Sequence, residues 1–318
     1  MKFRNRSFWL WTLVAIVIYA IGEILIDSGV IDNYSQSTLM LICINIILAT
    51  SLNLINGFTG QFSIGHAGFM SIGAYLSTIA TLKLNLPFGV GLLIGAIVAA
   101  IAGLLVGVPS LRLKGDYLAI ATLGFGEIIR IIFLNTPYVG GASGMSGIPQ
   151  DTTWAWAFFS SLITVIFINN FVNSRHGRAC ISVRENEIAA EAMGINTTKY
   201  KVMAFVIGSF FAGLAGGLSA HYFYIIQPTN FNFMKSFEIL VIVVLGGLGS
   251  TSGSILGAIL LTLLFTYLAD YPEIRMIVYS LILILTMIFR PQGLMGTKEF
   301  SFRSLKLTKR GKSHGTAA

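Results

Sequence analysis

Charged residues are scarce in this chain. Lys, Arg, Asp and Glu make up 11% of its 318 residues, whereas they make up about a quarter of a soluble globular domain. Hydrophobic residues make up 55%, and apolar runs of about 20 residues, enough to cross a hydrocarbon core of roughly 30 Å as a helix, recur throughout. The composition excludes a soluble protein and predicts a single all-α, polytopic membrane domain over residues 1–318.

Cysteine and recognisable catalytic motifs are also lacking. Cys43 lies in an apolar run and Cys180 in a polar one, so the sequence predicts neither a disulfide framework nor a metal cluster. No paired carboxylates, Ser-His-Asp set or His-Glu-x-x-His motif stands out. The phosphate-binding P-loop is missing as well, because Lys306 replaces the glycine that should precede Gly311–Ser313. We therefore expect no enzyme activity, no cofactor and no intrinsic ATPase.

Hydropathy predicts a bundle of eight to ten transmembrane helices. The runs are 8–26, 37–55, 62–82, 87–108, 117–135, 152–172, 202–224, 237–248, 254–270 and 276–290. The first is longer than a signal-peptide core and no cleavage site follows it, so we expect an uncleaved span. The run 237–248 rises only about 18 Å as a helix, which leaves open whether it spans the membrane or re-enters it.

The basic residues indicate an orientation. The net charge is +8, and the basic residues cluster at the N-terminus, at Arg112 and Lys114, in the polar segment 173–201 and in the tail 291–318. Ten spans with a cytoplasmic N-terminus place all four clusters, and the C-terminus, in the cytoplasm. This pattern favours topology anchors and contact with membrane lipid over nucleic-acid binding.

Three ionisable residues within apolar runs are candidates for a substrate pathway. Such groups cost roughly 2.5 to 3.5 kcal/mol on insertion scales, so they should face protein or water. Glu127 and Arg130 share a helix face and are expected to pair, either as a structural lock between helices or as contacts for a zwitterionic substrate. His66 follows a glycine-rich break, where it either lines a cavity or packs in the core.

The polar segment 173–201 predicts one amphipathic helix over Val183–Met193. Ser182 and Glu185 have the spacing of a capping box, Gly194 marks the end, and Asn196 or Thr197 caps the next helix. Four residues of the predicted helix form an apolar stripe that suits a groove on a partner: Ile188, Ala189, Ala192 and Met193.

The string ENEIAAEAMGI resembles the cytoplasmic coupling loop of bacterial ABC-importer permeases, in which Glu-Ala-Ala is followed by a glycine. EIAAEA allows two registers, so either Glu187 or Glu191 takes the place of the family's glutamate. The resemblance implies that this loop docks on an ATPase. The implied coupling residues are Arg184, Glu187, Ile188, Ala189, Ala190, Glu191, Met193 and Gly194.

Four further strings resemble LivM-type permeases of branched-chain amino acid ABC importers, over residues 40 to 295. They are NLINGFTGQFSIGHAGFMSIGAY, LRLKGDYLAIATLGFGEIIRII, GGASGMSGI and VVLGGLGSTSGSILGA. This resemblance implies alternating access in a bacterial cytoplasmic membrane. It also implies a sister permease as heterodimer partner, two cytoplasmic ATPase subunits and an extracytoplasmic substrate-binding protein.

Two other functions stay open at the level of sequence. A permease for urea or short-chain amides has a similar architecture. A secondary transporter driven by an ion gradient would use intramembrane ionisable residues and broken helices within a single chain.

Overall fold

The computed structural model describes residues 16–17, 19–26, 28–29, 32–110, 115–269, 271–289 and 293–296. Residues 19–26 are helical. The helices that follow are α1 (Asn33–Asn53), α2 (His66–Leu82), α3 (Phe88–Ser110), α4 (Asp116–Asn135), α5 (Trp154–Asn173), α6 (Arg175–Glu185), α7 (Glu187–Ala192), α8 (Thr197–Phe223), α9 (Phe233–Gly246), α10 (Thr251–Tyr267) and α11 (Pro272–Phe289).

Short elements complete the described part of the chain. A π-helix, Leu54–Phe58, extends α1, and 3-10 helices lie at Pro137–Val139, Gly141–Ser143 and Pro228–Phe231. Strands β1 (Met145–Ser146) and β2 (Ile225–Ile226) pair antiparallel, with Met145 opposite Ile226. The predicted all-α membrane bundle is confirmed.

Five helical stretches among the described residues are long and apolar enough to cross a membrane: Asn33–Phe58, Phe88–Pro109, Asp116–Asn135, Trp154–Asn173 and Thr197–Phe223. Helices α2 and α10 have 17 residues each. Helix α9, which contains most of the doubtful run 237–248, has 14. Its rise of about 21 Å is shorter than a hydrocarbon core. Nine of the 19 residues of the first predicted span (8–15 and 18) and nearly all of the basic tail lie outside the described residues.

The centre of the bundle is a close packing of α2, α3 and α8. A Cβ atom at Gly95 would lie 2.6 Å from the carbonyl oxygen of Gly73, and one at Gly213 would lie 2.5 Å from the Cβ of Ala99. Glycine allows these backbones to touch, which is how apolar helices gain packing energy in lipid. Two glycine-rich breaks adjoin the bundle helices: the first, residues 57–65, leads into α2, and the second, residues 247–250, joins α9 to α10.

The two ends of the bundle carry different structures. At one end the polar segment meets both glycine-rich breaks, since Arg184 donates a hydrogen bond to the carbonyl of Gly57 and packs against Gly249. At the other end the Lys83 ammonium bonds to the carbonyl of Tyr138 and lies over its ring. The structure thus places the polar segment and Lys83 at opposite ends of the bundle, and the side of the membrane that each end faces stays a prediction; Arg112 and Lys114 lie outside the described residues.

Candidate functional site

The polar segment folds as two helices, so the prediction of one continuous helix over Val183–Met193 was wrong. Helix α6 ends at Glu185, and α7 begins at Glu187. Between them Asn186 has an extended backbone, with φ −160° and ψ 108°, and its side chain accepts a hydrogen bond from the Ala189 amide at 3.0 Å. Asparagine is a strong N-cap because its side chain replaces a missing helical acceptor.

The predicted capping box does not form. The Ser182 hydroxyl donates to the carbonyl of Ala179 at 2.8 Å, inside α6. Ser174 caps α6 instead and accepts from the Gly177 amide. The sequence rule selected a serine with a glutamate three residues later, but Asn186 provides the stronger start one turn further on.

The end of α7 follows the prediction. Gly194 has φ +81°, a left-handed conformation that favours glycine, and its amide donates to the carbonyl of Glu191 at 2.9 Å. Asn196 then caps α8 by accepting from the Lys199 amide at 3.0 Å. Of the two caps considered, Asn196 is the one used. Helix α7 is therefore bounded by an asparagine cap at its start and a glycine at its end.

The inner side of α7 holds the helix on the bundle. Glu187 pairs with Lys201 at 2.5 Å, and Glu191 accepts a hydrogen bond from the hydroxyl of Thr197 at 2.7 Å. Ala190 is only 4% exposed. Both glutamates that the sequence could not distinguish thus attach α7 to the first turns of α8.

The outer side of α7 is apolar. Ile188 is 77% exposed and Met193 82%, and Ala189 and Ala192 are exposed beside them. These four residues are the predicted stripe, and here they are named the docking face. Isolated exposed apolar residues are common on proteins, but a face of this kind on a capped, attached helix suits an apolar groove on a partner.

Arg184 points away from the docking face. It lies in α6, and its Nη1 donates to the carbonyl of Gly57 at 2.9 Å, while its Nε and Nη2 bond to the carboxylate of Glu185. A pocket of about 220 Å³ lies beside it, with Phe58, Asn169 and Gly249 in its wall. The sequence grouped Arg184 with the coupling residues but gave no indication that its guanidinium faces the bundle.

Asn53 joins the two glycine-rich breaks. Its Nδ2 donates to the carbonyl of Ser250 at 2.9 Å and to the hydroxyl of Ser254 at 2.8 Å. Its Oδ1 accepts from the Gly249 amide at 2.8 Å. The side chain is fully buried. Sequence reasoning missed this residue, although an amide inside an apolar run of a membrane helix is a usable signal, because it must find partners there.

His66 is buried at the start of α2, and its exposed fraction is 0%. Its Nε2 lies 2.9 Å from the hydroxyl of Ser51. Its Nδ1 has no hydrogen-bond partner, and the hydroxyl of nearby Ser63 has none either. The next amide, that of Ala67, donates to the hydroxyl of Ser236 in α9 at 3.1 Å. His66 therefore lies at a helix start inside the bundle, next to the first turn of α9.

Glu127 and Arg130 form the predicted ion pair. Arg130 Nε lies 2.7 Å from a carboxylate oxygen of Glu127, and each side chain is about a quarter exposed. The other oxygen of Glu127 accepts from the Phe233 amide at 3.0 Å, so it caps the start of α9. A carboxylate is favourable there because a helix N-terminus carries partial positive charge. The first turn of α9 thus contacts Glu127 of this pair through the Phe233 amide. It also contacts Ala67, the residue after His66, through the Ser236 hydroxyl.

A family model described as branched-chain amino acid transport system / permease component matches residues 34–287. This chain belongs to that permease family. The high-affinity branched-chain amino acid transport system permease protein LivM of Escherichia coli (strain K12) is 37% identical, over 89% of this permease and 74% of that protein. The corresponding LivH protein of the same strain is 33% identical, over 47% of this permease and 48% of LivH.

One solved structure has the same fold. A chain of PsaBC from Streptococcus pneumoniae, determined in complex with Fab, matches with a TM-score of 0.50 over 91% of this permease and 99% of that chain. The two sequences are 15% identical, so the likeness concerns the fold alone. The described part of the permease contains no cluster of three or more His, Cys, Asp or Glu residues that could hold a metal ion.

Proposed function

We propose that this permease forms half of a transmembrane pathway that imports branched-chain amino acids by alternating access, with ATP hydrolysed on separate subunits. The observation that carries the proposal is the docking face, an apolar surface on a short helix that is capped at both ends and fastened to the bundle. Membership of the permease family and the 37% identity to LivM support the substrate class.

The proposed partners are a sister permease, two cytoplasmic ATPase subunits and an extracytoplasmic substrate-binding protein. The match to both LivM and LivH supports a pair of related permeases, since the two are separately named permease proteins of one bacterium. The polar segment and the basic clusters support an orientation with both termini in the cytoplasm, in a bacterial cytoplasmic membrane.

The coupling site is the docking face of α7. Ile188, Ala189, Ala192 and Met193 contact the ATPase, while Glu187, Ala190, Glu191 and Gly194 fix the position of the helix. Full burial of an isoleucine or methionine side chain contributes about 1.5 to 3 kcal/mol. A face of this size therefore supplies binding energy in a small area. An ATPase groove that buries it can move α7 when the ATPase changes conformation.

The substrate pathway passes the first turn of α9. The Glu127–Arg130 pair presents both signs of charge there, which complements the zwitterionic backbone of an amino acid. Because the pair is also a link between α4 and α9, substrate contact and helix position are connected. His66 belongs to the same region through the bond between the Ala67 amide and Ser236.

The test is reconstitution of the complete importer in proteoliposomes with its sister permease, ATPases and binding protein. ATP-dependent uptake of labelled leucine, isoleucine or valine is expected, with urea transported poorly. Uptake of urea in preference to the amino acids would contradict the substrate class. Uptake by the lone chain in an ion gradient, without ATPase subunits, would indicate a secondary transporter instead.

The pathway residues need a separate measurement. Glu127→Gln combined with Arg130→Gln keeps similar side-chain volumes and removes both charges, so we expect uptake to fall while the complex still assembles. Unchanged uptake by an assembled complex would mean that the pair acts only as a structural link. Lys235→Met with Glu238→Gln removes the ion pair within α9, whose side chains lie 3.0 Å apart, and measures how much uptake is lost when any charge pair near this turn is removed.

A further inference from the structure

The side chain of Arg184 lies between the two glycine-rich breaks and contacts both. Its Nη1 binds the carbonyl of Gly57 in the first break at 2.9 Å. A Cβ atom at Gly60 would lie 2.8 Å from Arg184 Cγ, and one at Gly249 would lie 2.8 Å from Arg184 Nη1. Gly60 and Gly249 also have positive φ angles, +72° and +85°. Any other residue at these two positions would be strained and would crowd the arginine.

The other side of the guanidinium is held by α6 itself. Nε and Nη2 of Arg184 form a fork on Glu185 at 3.1 and 2.5 Å. The five donors of a guanidinium lie in one plane, so this fork orients Nη1 toward Gly57. Helix α6 is anchored as well, since Val183 and Cys180 are buried in the bundle. The position of Arg184 is therefore fixed both by its own helix and by the breaks.

The docking helix is two residues away. Glu185 and Asn186 separate Arg184 from the first residue of α7, and Asn186 is extended rather than helical. On the bundle side, Asn53 ties Gly249 and Ser250 of the second break to the end of α1. A displacement of α7 would therefore reach Arg184 through this short connection and Gly57 through the bond from Arg184. It would reach the second break through the hydrogen bonds of Asn53.

We propose that Arg184 is the positioning residue that links movement of the docking helix to both glycine-rich breaks. Breaks of this kind are places where membrane helices change direction, and a few element-terminal residues can absorb large backbone changes. The inference rests on the proposed function, because it requires an ATPase to move α7. It assigns Arg184 to transmission within the permease, and leaves contact with the ATPase to the docking face.

The experiment measures ATP hydrolysed per amino acid transported in the reconstituted importer. Arg184→Ala removes the bonds to Gly57 and Glu185. A charge-assisted hydrogen bond is strong enough that we expect uptake to fall about tenfold, while bound ATPase subunits and basal hydrolysis stay within about twofold of wild type. The number of ATP molecules hydrolysed per transported leucine therefore rises. Arg184→Lys should give an intermediate ratio, because one ammonium cannot reproduce the planar fork.

Two controls separate transmission from general loss of structure. Arg178→Ala removes an exposed arginine of the same helix, which bonds only weakly to the carbonyl of Asn173 at 3.3 Å, and should leave the ratio unchanged. Glu185→Gln keeps an acceptor oxygen for Nε and Nη2 but removes its charge, and it keeps the bond to Gly57, so its ratio should lie between those of wild type and Arg184→Lys. If the Arg184→Ala permease does not fold or does not pair with its sister permease, the Arg184→Lys variant provides the test.

The outcomes distinguish this inference from the proposed function. A wild-type ratio in assembled Arg184→Ala and Arg184→Lys importers overturns the role of Arg184. Loss of ATPase subunits from either variant also overturns it, since it would make Arg184 a docking residue. Failure of the wild-type importer to couple hydrolysis to uptake contradicts the proposed function itself, before any variant is measured.

Discussion

Helices α6 and α7 are neighbours in one polar segment, yet they face opposite ways. In α6, Cys180 and Val183 are buried and Arg184 reaches between the glycine-rich breaks. In α7, Ala190 is the buried residue, and the opposite face exposes Ile188 and Met193. One helix is built into the bundle and the other is presented outward. The difference shows that a single stretch of charged sequence contains both a helix packed into the membrane domain and an exposed apolar face.

The largest expected effect comes from a charge on the docking face. Ala189→Glu would bury a carboxylate in an apolar interface, and an unpaired buried charge is costly. We expect the ATPase subunits to be lost on affinity purification and uptake to fall to background. Thr198→Glu is the matched control, because Thr198 is exposed in the first turn of α8, where a carboxylate is tolerated. If the Ala189→Glu permease co-purifies with ATPase subunits at the wild-type stoichiometry, the ATPase docks on another surface.

The boundary between the helices gives a smaller effect. Asn186→Leu removes the cap of α7, a change that costs about 1 kcal/mol in typical helices, and allows α6 to continue into α7. The docking face would then rotate away from its position. We expect a several-fold loss of uptake and faster proteolysis between 185 and 195. Asn186→Asp retains a capping oxygen and should behave as wild type; equal loss in both variants would refute the capping explanation.

The burial difference predicts contrasting thiol reactivity. Burial raises the pKa of the Cys180 thiol to about 11, so at pH 8 only about 0.1% is thiolate, the reactive form. Ile188→Cys places a thiol on the exposed face, where it has no such burial. In a Cys43→Ala background, a maleimide should label position 188 far faster than Cys180. The labelling rate of Cys180 should rise as the pH approaches its raised pKa. If Cys180 and position 188 are labelled at comparable rates at pH 8, α6 is not packed as described.

The membrane bundle could be predicted from the sequence because long apolar runs leave few alternatives in lipid. The exposed apolar face of α7 could also be predicted, since Ile188, Ala189, Ala192 and Met193 share a helical stripe. The helix boundary could not, because Ser182 and Asn186 both satisfy local capping rules, and only packing of α6 against the bundle decides between them. The inward direction of Arg184 depends on glycines more than 60 residues away in either direction, which no local pattern contains.

The smallest expected effect comes from the bond that fastens α7 to α8. Glu187 and Lys201 lie 2.5 Å apart, and their side chains are 31% and 12% exposed. Partial exposure lowers the value of an ion pair to about 1 kcal/mol or less, and the bond from Thr197 to Glu191 remains. Glu187→Gln should therefore reduce uptake by about twofold or less, with normal ATPase binding. The double variant Glu187→Gln, Glu191→Gln weakens both attachments of α7 to α8. If its loss of uptake exceeds the combined losses of the two single variants, α7 must be held by both contacts to couple ATP hydrolysis to transport.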